Sequence, residues 1–155
     1  SQIEVVAGVN LPMLIKLASV RDASSLEQAV IQAQAVAVNL AQHKDLHGLI
    51  LAGSVASWGA LFDSFLDGMS TFMDEGMFNS IGKAKNISCP LLIIHGTRDW
   101  LAPYEHAEAL SRAFPGPKTF VSIRGGHHND LAYAHRAEFW GAIATFLCRG
   151  GAPRP

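Results

Sequence analysis

The sequence predicts a three-layer α/β domain, a four-stranded parallel sheet in order 1-2-3-4 with helices on both faces. Two observations carry this. Four short apolar runs alternate with helix-like segments along the chain, and strands alternating with helices imply a parallel sheet with crossover connections. The two middle runs are nearly continuous Leu and Ile, as in strands buried on both sides. The 155 residues are enough for one core, so residues 1–150 are read as a single domain and 151–155 as a frayed tail.

The first strand is "IEVVAGV" (3–9). "NLPMLIKLASV" (10–20) follows as a helix, with Asn10 as N-cap and Pro12 in its first turn. "SSLEQAVIQAQAVAVNLAQH" (24–43) opens with Ser24-x-x-Glu27, a capping box, and reads as one unbroken helix over 25–43. Ile31 and Val38 are expected to pack inward from it. "HGLILAG" (47–53) is the second strand. Segment 58–84 is helical in two pieces, broken near Glu75-Gly76. Met69, Met73 and Met77 with Phe65 and Phe72 lie there at helical spacing, as core or as a patch beneath a lid. "PLLIIHG" (90–96), the helix "PYEHAEALSRAF" (103–114), "KTFVSIR" (118–124) and the helix "YAHRAEFWGAIATFLCR" (133–149) complete the order.

Composition removes several function classes. Net charge is −1 and 16% of residues are charged, without a basic run, so there is no electrostatic footprint for nucleic acid. No apolar stretch is long enough to span a bilayer, and no signal-peptide pattern opens the chain. Cys89 and Cys148 form neither a disulfide framework nor a zinc site. The expectation is a cytoplasmic protein without a cofactor or metal, and without a nucleic-acid or membrane partner.

In open parallel sheets chemistry gathers beyond the carboxyl ends of the strands. Four loops lie on that edge: Asn10, 53–58, Thr97 to Pro103, and Gly125 to Asp130. Asp99 follows the third strand. The pair His127-His128, within "GGHHND", follows the fourth. A carboxylate beside an imidazole fixes its tautomer and stabilises its cation. Ser54 and Ser57 are the hydroxyls on the same edge, with backbone capping as the plainer role for Ser54. Metal binding by His127, His128, Asp130 and His95 is chemically conceivable. Adjacent histidines point apart, however, and no His-x-His or His-x3-His spacing occurs.

From about residue 33 to 150 the chain resembles the C-terminal part of an α/β-hydrolase. "CPLLIIHGTRDWLAPYEHAEAL" resembles that family's strand, acid loop and following helix. "KTFVSIRGGHHNDL" resembles its last strand and histidine loop. "AVAVNLAQHKDL" resembles the helix after the nucleophile, and "HGLILAGSVASWGALFDS" the strand that follows it. The resemblance implies Asp99 as triad acid and His128 as base, with His127 at a position that usually holds a small residue. It also implies a Gly-x-Ser-x-Gly elbow before the helix. The serine position falls on Ile31, mid-helix, without either glycine. Residues 3–32, with "GVNLPML" and "RD", resemble instead the C-terminal part of the IIA component of mannose-family phosphotransferase systems, without its phosphorylated histidine.

Two resemblances meeting within one helix suggest a chimera, recombined or designed, that has lost both catalytic centres. The leading expectation is a scaffold without evolved activity, in which Asp99 and His128 are vestigial. One alternative is a weak esterase-like serine hydrolase using Ser54 with His128 and Asp99. Another is an interaction module, expected as a homodimer through strand 3–9 or the helix at 11–20, where a shortened sheet leaves an apolar edge. The substrate is not readable from the sequence.

Overall fold

The computed structural model describes residues 46–54 and 79–149, together with Val38. Strands β1 (Leu49–Ala52), β2 (Leu91–Gly96) and β3 (Lys118–Ile123) form a parallel sheet in that order. They are the second, third and fourth predicted strands, slightly trimmed. Among the described residues the sheet therefore has three strands, not four; the run at 3–9 lies outside them, as do the segment 10–20 predicted to be helical, all of 25–43 but Val38, and the part of 58–84 before residue 79. The segments expected to carry a dimer contact fall there too. The second predicted strand ends early because Gly53 turns the chain with φ 60°.

Both faces of the sheet are covered, as the unbroken Leu/Ile runs require. Side chains alternate along a strand. Leu49, Leu51, Leu91 and Ile93 join Ala84, Ile87, Ala107, Leu110 and Phe114 on one face. Ile50, Leu92, Ile94 and Ile123 join Leu131, Ile143 and Phe146 on the other. Helix α1 (Ser80–Ala84) and helix α2 (Tyr104–Ala113) supply the first face, and helix α3 (Arg136–Cys148) the second. Val38 is helical and buried in the first core, consistent with an inward Val38; Ile31 lies outside the described residues.

The helix ends show how the sequence sets them. Asn79 caps α1, its Oδ1 accepting from Gly82 N at 2.7 Å. Helix α2 ends at Ala113, with Phe114 as its C-cap. There Lys118 Nζ donates to the carbonyls of Ser111 and Phe114 at 2.8 and 2.7 Å, meeting acceptors that the last turn leaves open. Helix α3 begins at Arg136, later than predicted; the residues before it are turns in which the amides of Tyr133 and Ala134 donate to the carbonyl of Asp130. No helix among the described residues is long and apolar enough to cross a membrane.

Candidate active site

The acid loop after β2 and the histidine loop after β3 are stitched together by backbone. Thr97 N donates to Ile123 O at 3.0 Å and Arg98 N to Gly126 O at 2.9 Å. Gly125 N donates to Thr97 Oγ1 at 2.9 Å. The double glycine makes this approach possible. Gly125 has φ 77°, a region that favours glycine. A Cβ on Gly96 would lie 2.2 Å from Gly126 O, so the two chains meet only because position 96 lacks one. Beyond them, His127 N donates to Asp130 Oδ1 at 2.8 Å, which closes the turn that presents His128.

These constraints bring Asp99 and His128 together, as the strand-edge argument predicts. His128 Nδ1 donates to Asp99 Oδ2 at 2.8 Å. The other carboxylate oxygen, Oδ1, accepts from Leu101 N at 3.0 Å and Ala102 N at 2.8 Å. Both oxygens of a nearly buried carboxylate are thus satisfied, and the aspartate cannot turn away from the ring. With Nδ1–H held by the acid, the free Nε2 of His128 is the basic nitrogen, as a general base requires.

Ser54 lies just past β1 on the same edge. It is buried, and among the described residues its Oγ has no hydrogen-bond partner. Its neighbour Gly53 is the residue that touches the pair: a Cβ there would lie 3.1 Å from Cε1 and Nδ1 of His128 and 3.7 Å from Asp99 Oδ2. Ser57 and the nucleophile-equivalent Ile31 lie outside the described residues.

The four residues considered as metal ligands separate. His95 and His128 both approach Asp99, whereas His127 is exposed and Asp130 is committed to the turn. Among the described residues no group of three or more His, Cys, Asp and Glu side chains is placed to hold a metal ion.

His95 is the residue whose position the sequence reading missed. Fully buried at the end of β2, it donates from Nε2 to Ala102 O at 2.8 Å, and Nε2 lies 3.5 Å from Asp99 Oδ2. Burial pushes its pKa below the usual histidine value, partly offset by the Ala102 carbonyl and the Asp99 charge. The available signal was its spacing, four residues before Asp99 across a strand end in "HGTRD".

A family model described as serine hydrolase (FSH1) matches residues 24–129, which include Ser54, Asp99 and His128. Among curated proteins, the uncharacterized protein YfhR of Escherichia coli (strain K12) is 29% identical over 85 residues, 55% of this chain and 30% of that protein. The α/β hydrolase domain-containing protein 17B of Homo sapiens is 29% identical over 109 residues, 68% of this chain and 37% of that protein. This chain therefore spans about a third of the length of the curated relatives it matches. Among solved structures, the acylaminoacyl peptidase of Pyrococcus horikoshii superposes with a TM-score of 0.62 at 16% identity, over 79% of this chain and 23% of that one. The esterase domain of a Rhodothermus marinus protein gives 0.58 at 20% identity, over 76% and 57%. These structural likenesses show the α/β-hydrolase fold. The expectation of a scaffold without evolved catalytic function is corrected by the family match. That match begins at residue 24 and runs through the helix in which a seam between two sources was expected, so residues 24–32 fall within a hydrolase pattern.

Proposed function

The chain belongs to the serine hydrolase (FSH1) family, and from that membership we propose an esterase-like serine hydrolase with Asp99 as acid, His128 as base and Ser54 as nucleophile. The observation that carries the reading is the 2.8 Å bond from His128 Nδ1 to a carboxylate whose other oxygen is occupied by two amides. Such an arrangement fixes the tautomer and stabilises the imidazolium that forms in acyl transfer. In this mechanism His128 Nε2 takes the serine proton as Oγ attacks the acyl carbon. It then delivers that proton to the departing alcohol, and the acyl-serine is hydrolysed by water activated by the same nitrogen.

Ser54 is favoured because it is beside Gly53, which packs on His128, and because its hydroxyl is engaged by no other group among the described residues. Attack requires that Oγ come within hydrogen-bond reach of His128 Nε2. Carboxylic-acid derivatives are the substrate class: the two solved relatives are, by name, an acylaminoacyl peptidase and an esterase domain.

Labelling with a fluorophosphonate, followed by peptide mapping and p-nitrophenyl acetate turnover, tests the proposal. One serine label is expected, on Ser54, and lost in both Ser54→Ala and His128→Ala. A label on another serine that still needs His128 moves the nucleophile away from Ser54. No label under conditions that modify a known esterase overturns the reading.

A further inference from the structure

We propose that His95 is a positioning residue for the Asp99–His128 pair, an imidazole at the end of β2 whose Nε2–H locks the acid loop beside the carboxylate. The proposal rests on the hydrolase reading for its effect on rate, but its geometry stands on its own. His95 Nε2–H donates to the carbonyl of Ala102 at 2.8 Å. The amide of Ala102 returns to Asp99 Oδ1 at 2.8 Å. His95, Ala102 and Asp99 thus close a ring, and Asp99 Oδ2, which receives His128, lies 3.5 Å from the same Nε2. Two imidazoles face one carboxylate oxygen, one along a short hydrogen bond and one by a longer electrostatic contact.

The surroundings keep His95 in that role. Its ring meets the edge of Tyr104 at 5.9 Å and 73°. Tyr104 in turn packs edge-on against Phe120 and is hydrogen-bonded through its hydroxyl to Ser122, the β3 residue opposite His95 in register. The imidazole is therefore trapped between the acid loop and Tyr104. A carbonyl oxygen can only accept, so Nε2 carries the proton and Nδ1 is an acceptor. That Nδ1 is buried with no hydrogen-bond partner among the described residues. An unmet buried acceptor is unfavourable, and an apolar ring would fill this site without it. What distinguishes histidine from phenylalanine here is the N–H donated to Ala102 O, with Nε2 3.5 Å from Asp99 Oδ2. The charged and titratable groups acting on His95 are Asp99, His128 and Glu105, and burial keeps it neutral beside the acid.

The test compares His95→Phe, which keeps a ring and removes the N–H, with His95→Gln, which places an amide N–H near Nε2. In His95→Phe, kcat for an activated ester should fall about 100-fold with KM little changed, as when a catalytic group is misplaced by about 1 Å. His95→Gln should recover most of the loss. The downfield proton resonance of His128 Nδ1–H should move or broaden in His95→Phe and persist in His95→Gln. A folded His95→Phe that keeps both kcat and this resonance overturns the proposal. If the wild-type protein turns over no ester, the hydrolase reading fails and the resonance alone decides the positioning role. If His95→Phe does not fold, ring nitrogen shifts of wild-type His95 decide it. A stable Nε2–H tautomer across neutral pH supports the proposal and an Nδ1–H tautomer overturns it.

Discussion

Gly53 stands where any side chain would press on His128: a Cβ there would lie 3.1 Å from both Cε1 and Nδ1 of the imidazole. Gly53 also has φ 60°, unfavourable for other L-residues by roughly 1 kcal/mol or more. Gly53→Ala is therefore expected to destabilise the fold by about 1–2 kcal/mol in urea titration. It should reduce kcat more than that loss explains, because the imidazole must move off the carboxylate to make room. Unchanged kcat in a folded Gly53→Ala protein would show that the ring has slack.

Asp99→Asn separates the charge of the acid from its place in the loop. The side-chain oxygen of asparagine can still accept from Leu101 and Ala102, so the fold should hold. Its amide nitrogen, however, would donate to His128 Nδ1 and leave the proton on Nε2, where the base is needed. The expected loss in kcat is on the order of 10³–10⁴, read with an activated ester. A decrease of less than tenfold would argue that His128 works without its carboxylate.

The strands and the acid–base pair were legible in the sequence for physical reasons. "PLLIIHG" declares a strand covered on both faces, and Asp99 and His128 follow strands that end on one edge of the sheet. Gly53 and His95 were not legible as parts of the site. His95 reaches Asp99 from four residues away, a spacing that does not show which way its ring turns at the strand end, whereas the contact of Gly53 with the pair depends on register, which sets Leu49 beside Leu91 and Leu91 beside Lys118. No local pattern in the chain reports that offset. The late start of α3 was hidden similarly. Apolar spacing extends the helix back to Tyr133, but residues 128–135 are wound as turns on the Asp130 carbonyl, which accepts from Tyr133 and Ala134, and apolar spacing alone does not separate such turns from a first helical turn.

Acid should destabilise the fold through two buried rings. Burial lowers the pKa of His95 and of His106 below the ordinary 6.5. On acidification the unfolded chain therefore takes up protons on these rings before the folded chain does. Their neutral burial costs nothing well above pH 6.5. Stability then falls as pH drops below that value, by up to ~1.4 kcal/mol per pH unit for each ring, until the folded pKa is passed. Urea midpoints between about pH 7.5 and pH 5.5 should decline accordingly, and His106→Phe should shallow the slope. A midpoint flat across this range would contradict the neutral, buried assignment.

Two glycine-to-alanine changes should act in opposite directions, because one glycine is a point of contact and the other is not. A Cβ at Gly96 would lie 2.2 Å from the oxygen and 2.5 Å from the carbon of the Gly126 carbonyl. That carbonyl is backbone, and it accepts from Arg98 N at 2.9 Å. Relieving the overlap means parting the acid loop from the histidine loop. Gly96→Ala should therefore cost roughly 1–3 kcal/mol, as overpacked cores do, together with activity. Gly141 lies within α3, exposed, and a Cβ there would meet nothing within 4 Å. Replacing a helical glycine with alanine restricts the unfolded chain and improves helix propensity, by about 0.5–1 kcal/mol. Gly141→Ala should thus raise the urea midpoint without changing kcat. If instead both variants shift stability alike, the close approach of Gly96 to Gly126 is not what joins the acid loop to the histidine loop.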